Sequence, residues 1–362
     1  MPRIVTFGEI MARMAPAGVL RLRQVLPGSV DVTFAGAEAN VAASLALLGT
    51  QVDFVTALPA ESPLTEGCLA SLRSVGVGTQ HIRISDRGRF GVYFVEMGAN
   101  QRPSRVFYDR EHSAISLAEP SEFNWQKILS GADWLHLTGI TPAISREAAA
   151  TTLAAAEKAN EMGVRVSCDV NFRSKLWRWD AEKPPRELAG DVLNRLMPLV
   201  SLLMANEDDA GLLGVALPAQ SGAADSGHTI RAAVVAGELY RRYPNLRFIA
   251  TTLREQLSAS HNNWSAMLFE TNTGRATVAP VRKELFRPYE IRNIVDRVGS
   301  GDAFDAGLLF GLIHPDFTLQ RTLEFATAAS CLAHSIVGDC NFASRTEIED
   351  LIDGGGSGRV ER

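Results

Sequence analysis

The chain has 362 residues, above the usual single-domain size but within reach of one large α/β domain. Hydrophobic residues make up 46% and charged residues 21%, an ordinary globular balance. The formal net charge of −5 offers no electrostatic argument for nucleic acid or an anionic membrane surface, so an anionic ligand must be held by local positive groups.

Residues 3–8 are β-rich and end in glycine, which predicts a first strand. Residues 38–48 (EANVAASLALL) predict a helix stopped by Gly49. A strand over 51–58 follows, then a helix through TEGCLASLRSVGV ending near Gly76. Further on come a strand over 134–140, a helix over 145–163 and a strand over 164–171. The pattern continues with a strand over 199–206, a short helix in DDAGLLG, a helix over about 229–242 and a strand over 247–253. Helices over about 302–313 and 318–337 close it. Strands alternating with helices predict βαβ units and a mostly parallel α/β sheet, with ligands beyond the C-terminal strand ends.

Two stretches break the alternation. Residues 9–34 carry no helix pattern, and within 88–110 the runs RFGVYFVEMG and SRVFYDR read as strands. They form either a lid over the active face or extra strands at the sheet edge. Residues 215–228 read as a loop, and the tail over 353–362 as disordered, leaving residues 1–352 as the folded domain.

Cys68, Cys168, Cys331 and Cys340 contain no C-x-x-C pair, which argues against a zinc or disulfide framework. There is no secretory pattern in MPRIVTFGEI and no apolar run near the ~20 residues that span a bilayer, so a cytoplasmic protein is expected.

The stretch VGSGDAF, at the mouth of a buried helix, concentrates the chemistry. Backbone N–H groups at a helix N-terminus make a positive pocket, and Gly299 and Gly301 let the backbone approach a ligand and adopt positive φ. With Ser300 they form a candidate anion hole for phosphoryl transfer. Asp302 is either a general base for an attacking hydroxyl or the cap of the helix. Neither a Walker loop nor G-x-G-x-x-G is present.

DRVGSGD resembles the C-terminal signature of the ribokinase/PfkB family of sugar kinases, and FAGAEANVAASLALLG (34–49) resembles that family's glycine pair followed by Asn and an alanine-rich helix. The resemblance implies a Rossmann-like three-layer αβα core, a β-sheet lid and ATP-dependent transfer to a sugar hydroxyl. By that match Asp302 is the base and the amides of Gly299, Ser300 and Gly301 the anion hole. Asn206 and Asp209 match the family's Asn-x-x-Glu, on the Mg²⁺–phosphate side; Asp for Glu there fits contact through water. Ala35 replaces the first glycine of the pair, leaving Gly36 to keep the backbone open to a sugar hydroxyl. Arg297 stands where a Thr is usual and either adds positive charge near the phosphates or lies on the surface.

DVNFRSKLW (169–177), GVYFVEMG with VFYDR, and ATTLRE resemble a subset similar to 2-keto-3-deoxygluconate kinases. A sugar acid carries a carboxylate, which Arg recognises bidentately. Arg173 is the first candidate, with pairing to Asp169 or another acid as its alternative, and Arg110 from the lid is the second. Tyr93, Tyr108 and Asn40 are expected at the sugar. The adenine is expected near Thr251, Leu253 and Arg254, with Ala328 or Ala329 facing it. His136 reads as a core or outer-sphere residue.

The expectation is a cytoplasmic Mg²⁺–ATP sugar kinase acting on 2-keto-3-deoxygluconate or a related acid, dimeric through its lid. A neutral ketohexose such as fructose is the alternative substrate, and a sugar-acid-binding module without catalysis the alternative class.

Overall fold

The computed structural model describes residues 2–216 and 226–354, so most of the 215–228 loop and the 353–362 tail lie outside the described residues. A nine-stranded sheet forms the centre. Its main order is Arg275–Ala279, His261–Glu270, Phe248–Ser258, Leu202–Met204, Arg165–Asp169, Trp134–Thr138, Arg3–Phe7 and Gln51–Val55, with Tyr289–Arg292 added beside His261–Glu270. From Gln51–Val55 to Phe248–Ser258 all pairs are parallel; beyond that the sheet is antiparallel.

Strand alternation splits the core in two. Ile4, Phe54, Trp134 and Leu202 face helices Ala37–Leu47, Pro63–Ser74, Ser300–Ile313 and Leu319–Ala333. Val5, Leu135, Leu203 and Ile249 face helices Arg146–Glu161, Pro185–Leu196 and Ser226–Arg242. This is the expected three-layer αβα core. Local chemistry sets its helix ends: the hydroxyl of Ser145 accepts from Ala148 N at 2.9 Å to open Arg146–Glu161.

A separate four-stranded sheet stands over the C-terminal strand ends, in the order Asp31–Ala35, Met11–Ala15, Val92–Glu96 and Arg105–Asp109. Both irregular stretches supply it, so they are not extra strands on the edge of the main sheet. Met11, Arg13, Tyr93 and Val95 are buried on its inner face. Met14, Val32, Phe94 and Phe107 fall in register on its outer face. A one-turn helix, Leu22–Val25, sits in the first stretch.

Several boundaries differ from expectation. The strand over 51–58 breaks at Thr56: Gln51–Val55 joins the main sheet, and Ala57–Pro59 pairs instead with Arg83–Ser85. The strand over 134–140 ends at Thr138. The strand from 247 runs on to Ser258, because a hairpin to His261–Glu270 supplies partners beyond the parallel region. Helix Pro185–Leu196 is an addition to the expected elements; it buries Leu188, Ala189, Val192, Leu193 and Leu196, a regular helical stripe.

Candidate active site

A cavity of about 720 Å³ lies between the C-terminal strand ends and the inner face of the small sheet. Helix Ser300–Ile313 points its N-terminus into it. Gly299 caps that helix at φ 83°, and a Cβ there would lie 1.9 Å from the carbonyl oxygen of Asp339, so the fold itself demands glycine. Gly301 differs: it lies inside the helix without positive φ, correcting that part of the expectation, and a Cβ there would meet nothing within 4 Å. Its bareness leaves room in the cavity. Ala303 N is the first helix amide bonded, to Gly299 O at 2.9 Å, and the amides of Ser300, Gly301 and Asp302 stay open. The loop is pinned from behind, since Ser300 Oγ donates to Arg297 O (3.0 Å) and Ser330 Oγ to Ser300 O (2.6 Å).

Asp302 is the third residue of the helix and does not cap it. Its Oδ2 accepts from Asn40 Nδ2 at 2.7 Å. Burial pushes its pKa up to about 7; Asn40's hydrogen bond opposes this, the charges of Asp339 and Glu38 add to it, and Arg173 pulls it down. Asn40 is thus committed to Asp302, with its Oδ1 accepting from Gly36 N at 3.3 Å. Gly36 lines the cavity at φ −177°, ordinary extended backbone, and a Cβ there would lie 1.9 Å from the carbonyl oxygen of Glu9. The close approach of two backbone segments is enough to require glycine there.

At one end of the cavity the hydroxyl of Tyr93 donates to Asp339 Oδ2 at 2.6 Å. Tyr108, 40% exposed, has its ring 6.1 Å from that of Tyr93, and the Arg110 guanidinium lies 5.3 Å from the Tyr108 ring. Arg110 is buried in an ion pair with Glu9, and Glu9 also lines the cavity with neither oxygen hydrogen-bonded. Arg173 lines the same space from the loop after Arg165–Asp169. It is exposed, its Nη1 donates to Phe172 O at 3.1 Å, and among the described residues it closes no ion pair, with Asp169 or any other acid, although its charge lowers the pKa values of Asp169, Asp209 and Asp302. Burial raises the carboxyl pKa of Asp169, helped by the charges of Asp209 and Asp302, and that of Asp305 beside it.

At the other end Asn206 and Asp209 form a reciprocal cap on helix Glu207–Leu212: Asp209 N donates to Asn206 Oδ1 and Asn206 N to Asp209 Oδ2, both at 3.0 Å. Both line the cavity, and burial raises the Asp209 pKa. Thr251, Leu253 and Arg254 line it too. Arg297 faces it, held by hydrogen bonds to Ala259 O (2.5 Å) and Ser258 O (3.3 Å). Neither Arg254 nor Arg297 closes an ion pair among the described residues, and burial lowers both pKa values, against the opposing charge of Asp296 at Arg297. Ala328 and Ala329 do not face the cavity; they are buried in the core on the helix that packs against Ser300–Ile313. His136 is a core residue 3.0 Å from Ser167 Oγ, its pKa pushed down to about 3 by burial.

Arg13, Glu38 and Asp339 stand around the site with no sequence signal to mark them. Arg13 binds Asp296 and Asp339, across 283 and 326 positions of chain, and no local pattern announces such a contact. Glu38, fully buried, accepts from Thr138 Oγ1 (2.7 Å) and Thr141 Oγ1 (2.8 Å).

Residues 1–237 match the pfkB family of carbohydrate kinases. The chain belongs to this family. Full-length similarity carries the assignment through the Gly299–Asp302 loop. The chain is 30% identical to a 2-dehydro-3-deoxygalactonokinase of Haloferax volcanii, over 98% of each protein. It is 43% identical to the solved structure of a 2-dehydro-3-deoxygluconokinase from Thermotoga maritima, covering 98% of this chain and 100% of that one, with a TM-score of 0.87. It is 26% identical to a fructokinase of Salmonella typhimurium, over 93% of this chain and 94% of the relative. The protein is a carbohydrate kinase, a phosphotransferase, which removes the reading as a binding module without catalysis.

Proposed function

We propose that this pfkB family kinase transfers the γ-phosphate of ATP to the terminal hydroxyl of a keto sugar acid, 2-keto-3-deoxygluconate, giving the 6-phosphate. The observation that carries the substrate class is Arg173, an exposed guanidinium on the cavity wall that closes no ion pair among the described residues. A planar guanidinium is the side chain suited to a carboxylate. The sugar-acid kinases among the relatives support the same reading. Tyr108 then faces the sugar from the small sheet, Tyr93 and Arg110 line the same wall while held by Asp339 and Glu9, Gly36 lies beside it and Asn40 holds the base.

Asp302 takes the proton of the 6-hydroxyl as that oxygen bonds to the γ-phosphorus, and the bond from phosphorus to the departing ADP oxygen breaks. Charge developing on the phosphoryl oxygens meets the open amides of Ser300, Gly301 and Asp302 and the helix dipole. Arg254 and Arg297 add positive charge for the polyphosphate, and Thr251, Leu253 and Asn206 complete the nucleotide wall. Among the described residues no three acidic, histidine or cysteine side chains form a metal cage. A hydrated Mg²⁺ arriving with the nucleotide suits this wall, with Asp209 as the carboxylate facing its waters. When bound, the ion neutralises phosphate charge.

The outer row of the small sheet, with Val32 and Phe107 46% and 48% exposed, suits a second copy, so the assembly proposed is a homodimer through that sheet. The enzyme is assigned to the cytoplasm, where ATP is made; no helix among the described residues is long and apolar enough to cross a membrane.

The second reading, a ketohexose kinase, is favoured by the fructokinase relative. A coupled ADP-release assay over sugar acids, ketohexoses and nucleosides decides between them. Turnover confined to ketohexoses would overturn the sugar-acid assignment.

A further inference from the structure

Arg13 lies on the inner face of the small sheet with its side chain 3% exposed. Its Nη2 meets Asp296 Oδ2 at 2.5 Å and its Nη1 meets Asp339 Oδ1. The Asp296 carboxylate and the Asp339 main chain also meet the backbone around the amide cradle. Asp296 accepts from Val298 N (3.1 Å) and Gly338 N (3.2 Å), and the main-chain carbonyl of Asp339 abuts Gly299. The remaining Asp339 oxygen accepts from the hydroxyl of Tyr93, which sits opposite Arg13 on the neighbouring parallel strand. One buried node thus ties the two central strands of the small sheet to the segment that opens helix Ser300–Ile313.

Stability is a weak reason for such a node, because a buried ion pair is often replaceable by apolar residues without loss. Geometry is a stronger one. A guanidinium is a planar fork that sets the separation and orientation of two carboxylates, whereas an ammonium is a single point of charge. We propose that Arg13 is a positioning residue for phosphoryl transfer: by clasping Asp296 and Asp339 it holds the open amides of Ser300–Asp302 in register with the small sheet that carries Tyr108 and Arg110. The inference rests on the reading of the cavity given above and adds how its acceptor side and its phosphoryl side are kept aligned.

Full-length Arg13→Lys, Arg13→Ala and Asp296→Asn proteins test this by amide hydrogen exchange without ligands and by steady-state kinetics. Expected are faster exchange confined to about residues 296–302 and 338–341, and kcat lower by ~10²-fold, the order of cost of a 1 Å misplacement. The acceptor KM should change by less than about threefold, since ground-state binding is spared. Guanidinium ion at millimolar concentration should restore part of the kcat of Arg13→Ala, while Arg13→Lys should stay impaired despite its charge. Unchanged exchange in that loop, kcat near wild type, or exchange rising across the whole core would overturn the proposal. Should the Arg13 variants not fold, Asp296→Asn reads the same node, and wild-type exchange and kcat there would also overturn it. If the unaltered enzyme releases ADP with no sugar acid or ketohexose, the substrate reading fails instead, and the exchange measurement still decides the role of Arg13.

Discussion

Asn40 and Asp302 are joined by a side-chain hydrogen bond of 2.7 Å across 262 positions of the chain. Asn40 donates, so the bond favours the charged carboxylate and works against the burial that raises the Asp302 pKa to about 7. A base poised there can accept a proton near neutrality and is mostly ionised above it.

Asn40→Ala should therefore raise the Asp302 pKa further. The acid limb of the kcat–pH profile, expected near pH 7 in the unaltered enzyme, should move to higher pH, with part of the lost activity regained at pH 8–9. A profile that falls equally at all pH values would show that Asn40 does not tune the base.

Asp302→Asn should cost ~10²–10⁴ in kcat, the usual worth of a general base. Its stability should move the other way. A carboxyl whose folded pKa is raised contributes stability that is complete below its unfolded pKa, near 4, and is lost as pH rises through about 7. Removing it should raise the melting temperature at pH 8 and flatten the dependence between pH 4 and 7; an unchanged dependence in thermal melts would contradict the assignment.

Gly299→Ala and Gly301→Ala should part company. The first meets Asp339 O and a left-handed backbone, so melting temperature and activity should both drop. The second has a helical backbone and open space, so it should hold or gain ~0.5–1 kcal/mol of stability while ATP turnover falls. Melts and initial rates on the same preparations check both.

Arg173→Leu should raise the KM for a sugar acid by roughly 10–150-fold, the worth of ~1.5–3 kcal/mol for a hydrogen bond to a charged group. A neutral ketohexose should be little affected. Equal losses on both would move the carboxylate contact elsewhere.

Phe107→Glu places a charge in the exposed outer row of the small sheet. Sedimentation should show a dimer for the unaltered enzyme and a monomer for the variant. A variant dimer of unchanged strength would put the interface on another face.

By itself the sequence determined alternating βαβ units and a mostly parallel sheet, because strand and helix periodicities are local and recur along the chain, while the αβα layering was implied by the family resemblance. It marked the Gly299–Asp302 loop for the same reason: glycines, an acid and an apolar helix stand side by side. It named Arg173 through a short continuous segment. Only the tertiary structure decided that Asp302 bonds to Asn40, that Tyr93 serves Asp339, that Arg110 faces Glu9, and that Gly36 is bare for the sake of Glu9's backbone. The Arg13 node was likewise hidden, since its partners lie about 300 residues on. Contacts between distant segments depend on how layers pack, and no local periodicity records which buried charges will meet.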